Sequence, residues 1–131
     1  MNFIHHVGIF SNDAGRLIQF YKEKFGFKNE PAQILPESVV RPIFGISCEC
    51  EMFRLTLDGA VLEIFQPAAR DLLVEGKTPA GCNHWALVVE DKVKFCAQLE
   101  EKGASVIKVN RGEHIVYFVA DPDGNKIEIR S

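Results

Sequence analysis

The sequence contains two copies of one pattern, each of which begins at a histidine and ends at a glutamate. The first copy runs from His6 to Glu63, and the second runs from His84 to Glu128. Each histidine opens a short apolar run, and each glutamate follows an Asp-Gly turn by a few residues. Because both copies must form the same supersecondary unit, the repeat constrains the architecture more than any single motif does. It predicts two similar modules that each contribute one imidazole and one carboxylate.

Hydrophobic spacing predicts the element order βαβββ in each copy, and therefore an α+β fold class. In the first copy Asp13 is the expected N-cap of the helix, and Gly26 is expected to end it. An Asp58-Gly59 hairpin turn is expected to join the last two strands. The expected elements of this copy are strands over 3–10, 46–57 and 60–66, a helix over 14–25, and a short strand and a loop within the irregular segment 28–45.

The second copy is shorter and repeats this order. The connector over 67–81 is expected to include one helical turn around Ala68–Val74. We expect a single domain over 1–131, made of module 1 over about 3–67 and module 2 over about 82–131. The expected elements of the second copy are strands over 83–89, 105–109, 114–120 and 125–130, and a helix over 91–102 that ends at Gly103 and turns Val93, Cys96, Ala97 and Leu99 inward.

The composition excludes several classes of function. At 131 residues, with 47% apolar and 25% charged residues, the chain is suited to one compact globular domain. Its net charge of −3 disfavours nucleic acid as a partner, and no apolar run approaches the ~20 residues that a membrane helix needs. No signal peptide is evident, so we expect a cytoplasmic protein. The four cysteines form no CxxC motif and are expected to be free thiols.

Strand alternation places the histidines and glutamates of the repeat on defined faces of their strands. Glu63 shares its face with Val61 and Phe65, a setting that is costly for a carboxylate without a partner. A lone strand histidine or glutamate is usually structural or solvated, but matched positions in both copies favour metal ligation. Alternation turns His5 to the opposite face, and His114 has no counterpart in the repeat, so His5 is not an expected ligand and His114 is expected at the surface or the rim of the site.

Two imidazoles and two carboxylates suit one divalent ion, and such a set leaves coordination positions open for water or substrate. Zn²⁺, Ni²⁺, Co²⁺, Mn²⁺ and Fe²⁺ are all candidates, because nitrogen and oxygen ligands of this kind bind each of them. We therefore expect one divalent metal per site and a small-molecule substrate, with no nucleic-acid or membrane partner.

Four segments carry a resemblance to a known family: HVGIFSNDAGRLIQFYKEKFGF, AVLEIFQP, NHWALVVED and VYFVADPDGNKIEI. The sequence resembles the vicinal oxygen chelate superfamily, and within it the glyoxalase I-like proteins. The superfamily also includes methylmalonyl-CoA epimerase, extradiol dioxygenases, and fosfomycin and bleomycin resistance proteins. The resemblance implies two tandem βαβββ modules whose curved mixed sheets enclose a metal site. It also implies the ligand set His6, Glu63, His84 and Glu128.

The resemblance to glyoxalase I implies a lyase or isomerase that moves a proton through an enediolate. A divalent ion that binds two vicinal substrate oxygens stabilises the enediolate, and a carboxylate at the metal transfers the proton. The implied base is Glu128, with Glu63 as its counterpart, although the residues alone leave open which glutamate acts. Lys126 and Arg130 would favour the ionised form of Glu128 if they approach it.

Two positions depart from the pattern of glutathione-dependent bacterial glyoxalase I proteins. Those proteins carry Arg and Asn, which help to hold the glutamyl group, where this chain has Phe10 and Pro67. Neither side chain can form those hydrogen bonds, so a glutathione substrate does not follow from the resemblance. Arg41, Arg54 or Arg111 is either an alternative contact for an anion or a solvated surface residue.

Three functions are consistent with these features. The first is a metal-dependent lyase or isomerase that acts on a small oxygenated substrate, and the complete ligand set favours it. The second is a non-catalytic binding or antibiotic resistance protein, and the third is an extradiol dioxygenase, a class that uses two His and one Glu. We expect a homodimer, because a single open pair of sheets would leave edges and apolar surface exposed. The sequence leaves open whether the site forms within one chain or across the dimer.

Overall fold

The computed structural model describes residues 3–70, 72–73 and 80–131. The chain divides into two compact units, Met1–Glu75 and Gly76–Ser131. Each unit contains one mixed β-sheet with helices against it, which confirms the expected α+β class. Across the described ranges, no helix is long and apolar enough to span a membrane.

Unit 1 is built on a five-stranded sheet. Its strands are β1 (Val7–Phe10), β2 (Lys28–Asn29), β3 (Gln33–Leu35), β4 (Cys50–Leu57) and β5 (Ala60–Pro67), and its helices are α1 (Ala14–Phe20), which continues as a π-helical turn (Tyr21–Phe25), and α2 (Glu37–Phe44). The sheet order is β1-β5-β4-β2, with β3 also paired to β4. β1 runs parallel to β5, and the remaining pairs are antiparallel.

Unit 2 repeats this arrangement with fewer elements. Its elements are β6 (His84–Val88), α3 (Lys92–Glu101), β7 (Ser105–Arg111), β8 (His114–Ala120) and β9 (Lys126–Arg130). The sheet order is β6-β9-β8-β7, with β6 parallel to β9 and the other pairs antiparallel. In both units the first strand therefore lies beside the last, so the two units share one topology, and this similarity is what the duplicated sequence pattern predicts.

The first helix of each unit begins in the same way. The Asp13 carboxylate accepts a hydrogen bond from the backbone N–H of Arg16, and the Asp91 carboxylate accepts one from that of Lys94. Each bond satisfies an N–H group that has no partner inside the helix. Gly26 then takes the left-handed conformation (φ 84°) that ends the first of these helical segments, as expected.

Alternate residues of the last strand in each unit fill the core. Leu62 and Ile64 of β5 are buried in unit 1, and Ile127 and Ile129 of β9 are buried in unit 2. The helices α1 and α3 pack on these strands. Because alternate side chains of a strand point to opposite faces, Glu63 and Glu128 lie on the face of their sheet away from these helices.

The irregular segment 28–45 contains the expected strand, as the two short strands β2 and β3, and also the helix α2, which was not expected. The prolines at 36 and 42 argue against a helix, because proline lacks an N–H and clashes with the preceding turn. In the structure Pro36 precedes α2 as its N-cap, and Pro42 lies near the end of this eight-residue helix. Val40 is fully buried, so packing stabilises a helix that local propensity disfavours.

Three smaller predictions also differ from the structure. β1 begins at Val7, so His6 precedes the strand rather than lying within it. On α3, Cys96 and Leu99 are buried as expected, but Val93 and Ala97 are exposed. The chain at 68–70 forms a bend and a turn instead of a helical turn, and the rest of that prediction includes 71 and 74, which lie outside the described residues. All four cysteines are described and are free thiols, as predicted.

Candidate metal centre

The first predicted ligand pair lies on the open face of the unit 1 sheet. Glu63 stands opposite Gly8 of β1, and His6 lies two residues before that glycine. The His6 Nε2 atom is 3.3 Å from Glu63 Oε1. Only 8% of the Glu63 side chain is exposed, whereas the His6 ring is about half-buried. The structure therefore brings the first histidine and the first glutamate of the repeat into contact.

The second pair has the same arrangement in unit 2. Glu128 stands opposite Ala86 of β6, and His84 lies two residues before that alanine. The His84 Nε2 atom is 3.5 Å from Glu128 Oε2, and 18% of the Glu128 side chain is exposed. The His84 ring also packs edge-on against Phe118, at 5.3 Å between centroids. Among the described residues of either unit, no three or more His, Cys, Asp or Glu side chains lie close enough together to hold a metal ion. Each unit therefore offers one His–Glu pair to the candidate site.

The second oxygen of each carboxylate accepts hydrogen bonds from an arginine. Arg54 donates to Glu63 Oε2 from Nη2 at 2.7 Å and from Nε at 3.1 Å. Its hydrogen bonds to Glu63 raise the pKa of Arg54, so the guanidinium stays charged. Arg130 donates to Glu128 Oε1 at 3.0 Å. Each glutamate therefore turns one oxygen to an arginine and the other to the histidine of its pair.

The residue before each candidate ligand histidine contacts the Nδ1 atom of its ring. His84 Nδ1 is hydrogen-bonded to Asn83 Oδ1, and His6 Nδ1 lies 2.9 Å from His5 Nδ1. Because the Asn83 oxygen can only accept, His84 Nδ1 carries the proton of that bond. Partners of this kind orient histidine ligands and fix their tautomer. This contact was not predicted from the sequence, although a polar residue precedes the histidine in both copies.

The tautomer explains why these pairs fit a metal ion. When Nδ1 carries the proton, Nε2 of the neutral ring presents a lone pair, and the facing carboxylate oxygen is also an acceptor. A metal ion bound between two such atoms would receive a lone pair from each. Two ligand atoms bound to one tetrahedral ion at about 2.0–2.2 Å are about 3.4 Å apart. The separations of 3.3 and 3.5 Å match that spacing in both units.

The structure also describes the other histidines and the cations that were considered near the candidate ligands. His5 does not turn to the opposite face of a strand, because no strand is formed there, and its ring packs edge-on against His6. Of the two cations considered for Glu128, Arg130 contacts it, whereas no contact joins the exposed Lys126 side chain to it among the described residues. His114 begins β8 and is exposed, which agrees with the surface or rim position expected for it.

Phe10 and Pro67, the two residues that depart from the glutathione-dependent pattern, are both packed within unit 1. Phe10 packs edge-on against Phe44 of α2 at 5.2 Å, and both rings contact Phe65, at 6.0 and 5.5 Å from Phe10 and Phe44 respectively. Pro67 is buried opposite Cys50 at the end of β5. An aromatic cluster therefore occupies the place beside Glu63 where an arginine would hold a glutamyl group.

Comparison with known proteins gives consistent results. A family model described as the Glyoxalase/Bleomycin resistance protein/Dioxygenase superfamily matches residues 3–129. A protein of Synechocystis sp. named "Probable lactoylglutathione lyase" is 30% identical over 132 residues, which cover 97% of this chain and 93% of that protein. A lactoylglutathione lyase of Arabidopsis thaliana is 29% identical, and the match covers 95% of this chain but 42% of the plant protein. This chain therefore spans less than half the length of that relative.

Solved structures share the fold over nearly the whole chain. A glyoxalase family protein from Enterococcus faecalis has a TM-score of 0.71 at 25% identity, with 98% of this chain and 97% of that chain covered. The trypanothione-dependent glyoxalase I of Leishmania major has a TM-score of 0.72 at 23% identity, with 100% of this chain and 87% of that chain covered.

Proposed function

Because the chain belongs to the glyoxalase/bleomycin resistance protein/dioxygenase superfamily, we propose that it is a divalent-metal-dependent lyase or isomerase of the glyoxalase I type. Its substrate would be a small molecule with neighbouring oxygen atoms, and its reaction would be a proton transfer between adjacent positions. The two units would be the tandem modules of one domain over 1–131. Two relatives are named as a probable lactoylglutathione lyase and a lactoylglutathione lyase, and these names support an activity of this type.

One observation carries the proposal. In each unit a histidine Nε2 faces a glutamate oxygen at the separation that two ligands of one ion would have. His6 and Glu63 would supply two ligands, and His84 and Glu128 would supply the other two. A bound divalent ion would act as a Lewis acid that stabilises negative charge on the substrate oxygens. The two half-sets would combine either within one chain or between the chains of a homodimer.

The surroundings of the two glutamates support different roles for them. Glu63 is almost fully buried and receives two hydrogen bonds from Arg54, which hold its position. Glu128 is more exposed, and its partner Arg130 is itself 62% exposed and donates one hydrogen bond to it. The less restrained carboxylate is better able to reach a substrate carbon. Glu128 would therefore remove the proton and return it, and Glu63 would remain a fixed ligand.

The aromatic cluster narrows the expected substrate. Phe10 and Pro67 offer no hydrogen bond to a glutamyl group, and Phe10 is packed against Phe44 and Phe65. The hemithioacetal of methylglyoxal and glutathione would then be turned over poorly. Small hydroxy- or oxo-carbonyl compounds without the peptide portion are better candidates.

The test combines metal analysis with proton exchange. Purified protein should contain about one divalent ion per four-ligand set, and His6→Ala or His84→Ala should lower that content. Glu128→Gln should retain metal, because an amide oxygen can still ligate, but should reduce deuterium exchange into candidate substrates by about a hundredfold or more. Glu51→Gln is the matched control, since Glu51 lies exposed on β4.

Two outcomes would count against the proposal. Protein without divalent metal, in which His6→Ala and His84→Ala change neither metal content nor activity, would reject the metal-dependent enzyme. Full exchange activity in Glu128→Gln would instead transfer the role of base to Glu63.

A further inference from the structure

The three arginines that could contact an anion have different environments. Arg41 forms an ion pair with Glu37 on α2, at 3.7 Å, and Arg54 is engaged by Glu63. No ion pair or hydrogen bond joins the side chain of Arg111 to the rest of the described residues. An arginine without an internal partner can place its full set of N–H donors on a ligand.

The register of unit 2 places Arg111 on the same face as the candidate ligand pair. Arg111 and His114 are directly opposite each other at the end of the β7–β8 hairpin. Directly opposite residues project from the same face, and so do alternate residues of one strand. Phe118, four residues after His114, therefore shares this face, and it stands opposite Glu128. The hairpin end lies about 13 Å along β8 from the ligand pair, at about 3.3 Å per residue.

A cavity of about 650 Å³ connects these residues within unit 2. Its walls include His84 and Glu128 and also four basic side chains: Lys92, Arg111, His114 and Arg130. Lys92 Nζ donates to the backbone oxygen of Ile115 at 3.1 Å, which holds its charge at this wall. Three permanent cations and one carboxylate thus line a cavity in a chain whose net charge is −3. A concave surface with an excess of positive charge concentrates anions.

We infer that Arg111 and His114 bind an anionic group of the substrate, a carboxylate or a phosphate, at the end of the cavity away from the metal ligands. The planar guanidinium fork can bind either group through two parallel hydrogen bonds. The inference rests on the proposed function, because it assigns the other end of the same substrate. The substrate would then be a short-chain molecule that carries its reacting oxygens at one end and a negative charge at the other.

The experiment measures anion binding without turnover. The protein as purified is titrated with inorganic phosphate and, separately, with acetate, at constant ionic strength, and binding is followed by chemical-shift changes in backbone amide NMR spectra. Arg111→Gln should weaken the binding of the preferred anion by about tenfold, since hydrogen bonds between charged groups are the strong class. Arg111→Lys, which keeps the charge but not the fork, should weaken it less. Arg41→Gln, a change of the same charge outside this cavity, should leave binding unchanged.

The result distinguishes the two anion classes and can overturn the inference. Preference for phosphate would identify a phosphate ester, and preference for acetate would identify a carboxylate. Equal losses in Arg111→Gln and Arg41→Gln, or no saturable binding to the unmodified protein, would overturn the inference. Metal content and proton exchange are measured independently, so a failure of the metal-dependent activity and a failure of this anion site are distinguishable.

Discussion

Arg54 and Glu63 stand directly opposite each other in the β4–β5 hairpin, and the guanidinium donates two hydrogen bonds to a single carboxylate oxygen. The corresponding place in unit 2 is taken by Phe118, which stands opposite Glu128. Glu128 receives its arginine contact from Arg130, two residues along the same strand. The duplicated modules therefore surround equivalent glutamates with different restraints. This difference makes Glu63 the more rigid of the two carboxylates.

The restraint on Glu63 predicts a stability effect. Arg54→Met should lower the melting temperature of the protein by several degrees, because it leaves a nearly buried carboxylate oxygen without a partner. Arg130→Met should have a smaller effect, since both side chains of that pair are more exposed. Circular dichroism melts of the metal-free proteins measure both changes. The double variant Arg54→Met/Glu63→Gln should recover part of the loss, and strictly additive losses would argue against coupling of the pair.

The hydrogen bond between Asn83 and the proposed ligand His84 predicts an effect on metal affinity. Asn83→Ala removes the acceptor of His84 Nδ1–H, which orients the ring and sets its tautomer. Loss of such a partner typically lowers metal affinity by about 10- to 100-fold. Competition with a coloured chelator measures the change. Asn110→Ala on the exposed strand β7 is the matched control, and equal affinities in the two variants would contradict an orienting role for Asn83.

The register around Glu63 could be predicted from sequence because a short turn sets it. Asp58-Gly59 forms a two-residue loop, so pairs equidistant from it are opposite, and Arg54 with Glu63 follows by counting. In unit 2 the link between β8 and β9 is longer and is organised by Asp121, whose carboxylate accepts hydrogen bonds from the backbone N–H groups of Asp123 and Asn125. Counting from a two-residue turn fails there, although the alternation along β9 still gives the correct face for Glu128.

Other features depend on packing that no local pattern reveals. α2 follows Pro36 and contains Pro42, so propensity alone argues against it, but Val40 is buried and Phe44 packs against Phe65 in unit 1. The contact of His5 with His6 exists because β1 starts later than its apolar residues suggest, so alternation does not apply to these two histidines. The ligand candidates come from a repeat and could be identified from sequence, whereas their neighbours come from tertiary structure.

The aromatic cluster predicts a large stability effect at its buried member. Phe65 is largely buried and contacts both Phe10 and Phe44, so Phe65→Ala should destabilise the protein by about 3–5 kcal/mol through lost burial and a residual cavity. Phe3→Ala, at a ring that is 77% exposed, should change the free energy of unfolding by no more than about 0.5 kcal/mol. Urea denaturation measures both values. A small effect at Phe65 would show that α2 does not depend on this contact.

The thiols should differ in their reactivity. Burial raises the pKa of the Cys50 thiol, with a smaller contribution from Cys48, and burial followed by Glu100 raises that of Cys96. Because the thiolate is the reactive form, iodoacetamide at pH 8 should modify exposed Cys82 first and leave Cys50 and Cys96 unmodified in the folded protein. Mass spectrometry of digested samples identifies the sites, and labelling in denaturant is the control, where all four should react. Rapid modification of Cys96 in the native protein would contradict its burial.

The same shifts predict how stability changes at alkaline pH. In the unfolded chain these thiols lose their protons near the ordinary pKa of 9.0, whereas in the folded chain Cys50 and Cys96 keep theirs to higher pH. Above that value the unfolded state binds fewer protons, so the free energy of unfolding must fall as the pH rises towards the folded-state pKa values. Urea denaturation at several pH values between about 8 and 10 measures the slope. Cys96→Ala should make the dependence of the free energy of unfolding on pH less steep. Cys82→Ala, at an exposed thiol, should leave the slope unchanged. Equal slopes in both variants would mean that Cys96 does not contribute.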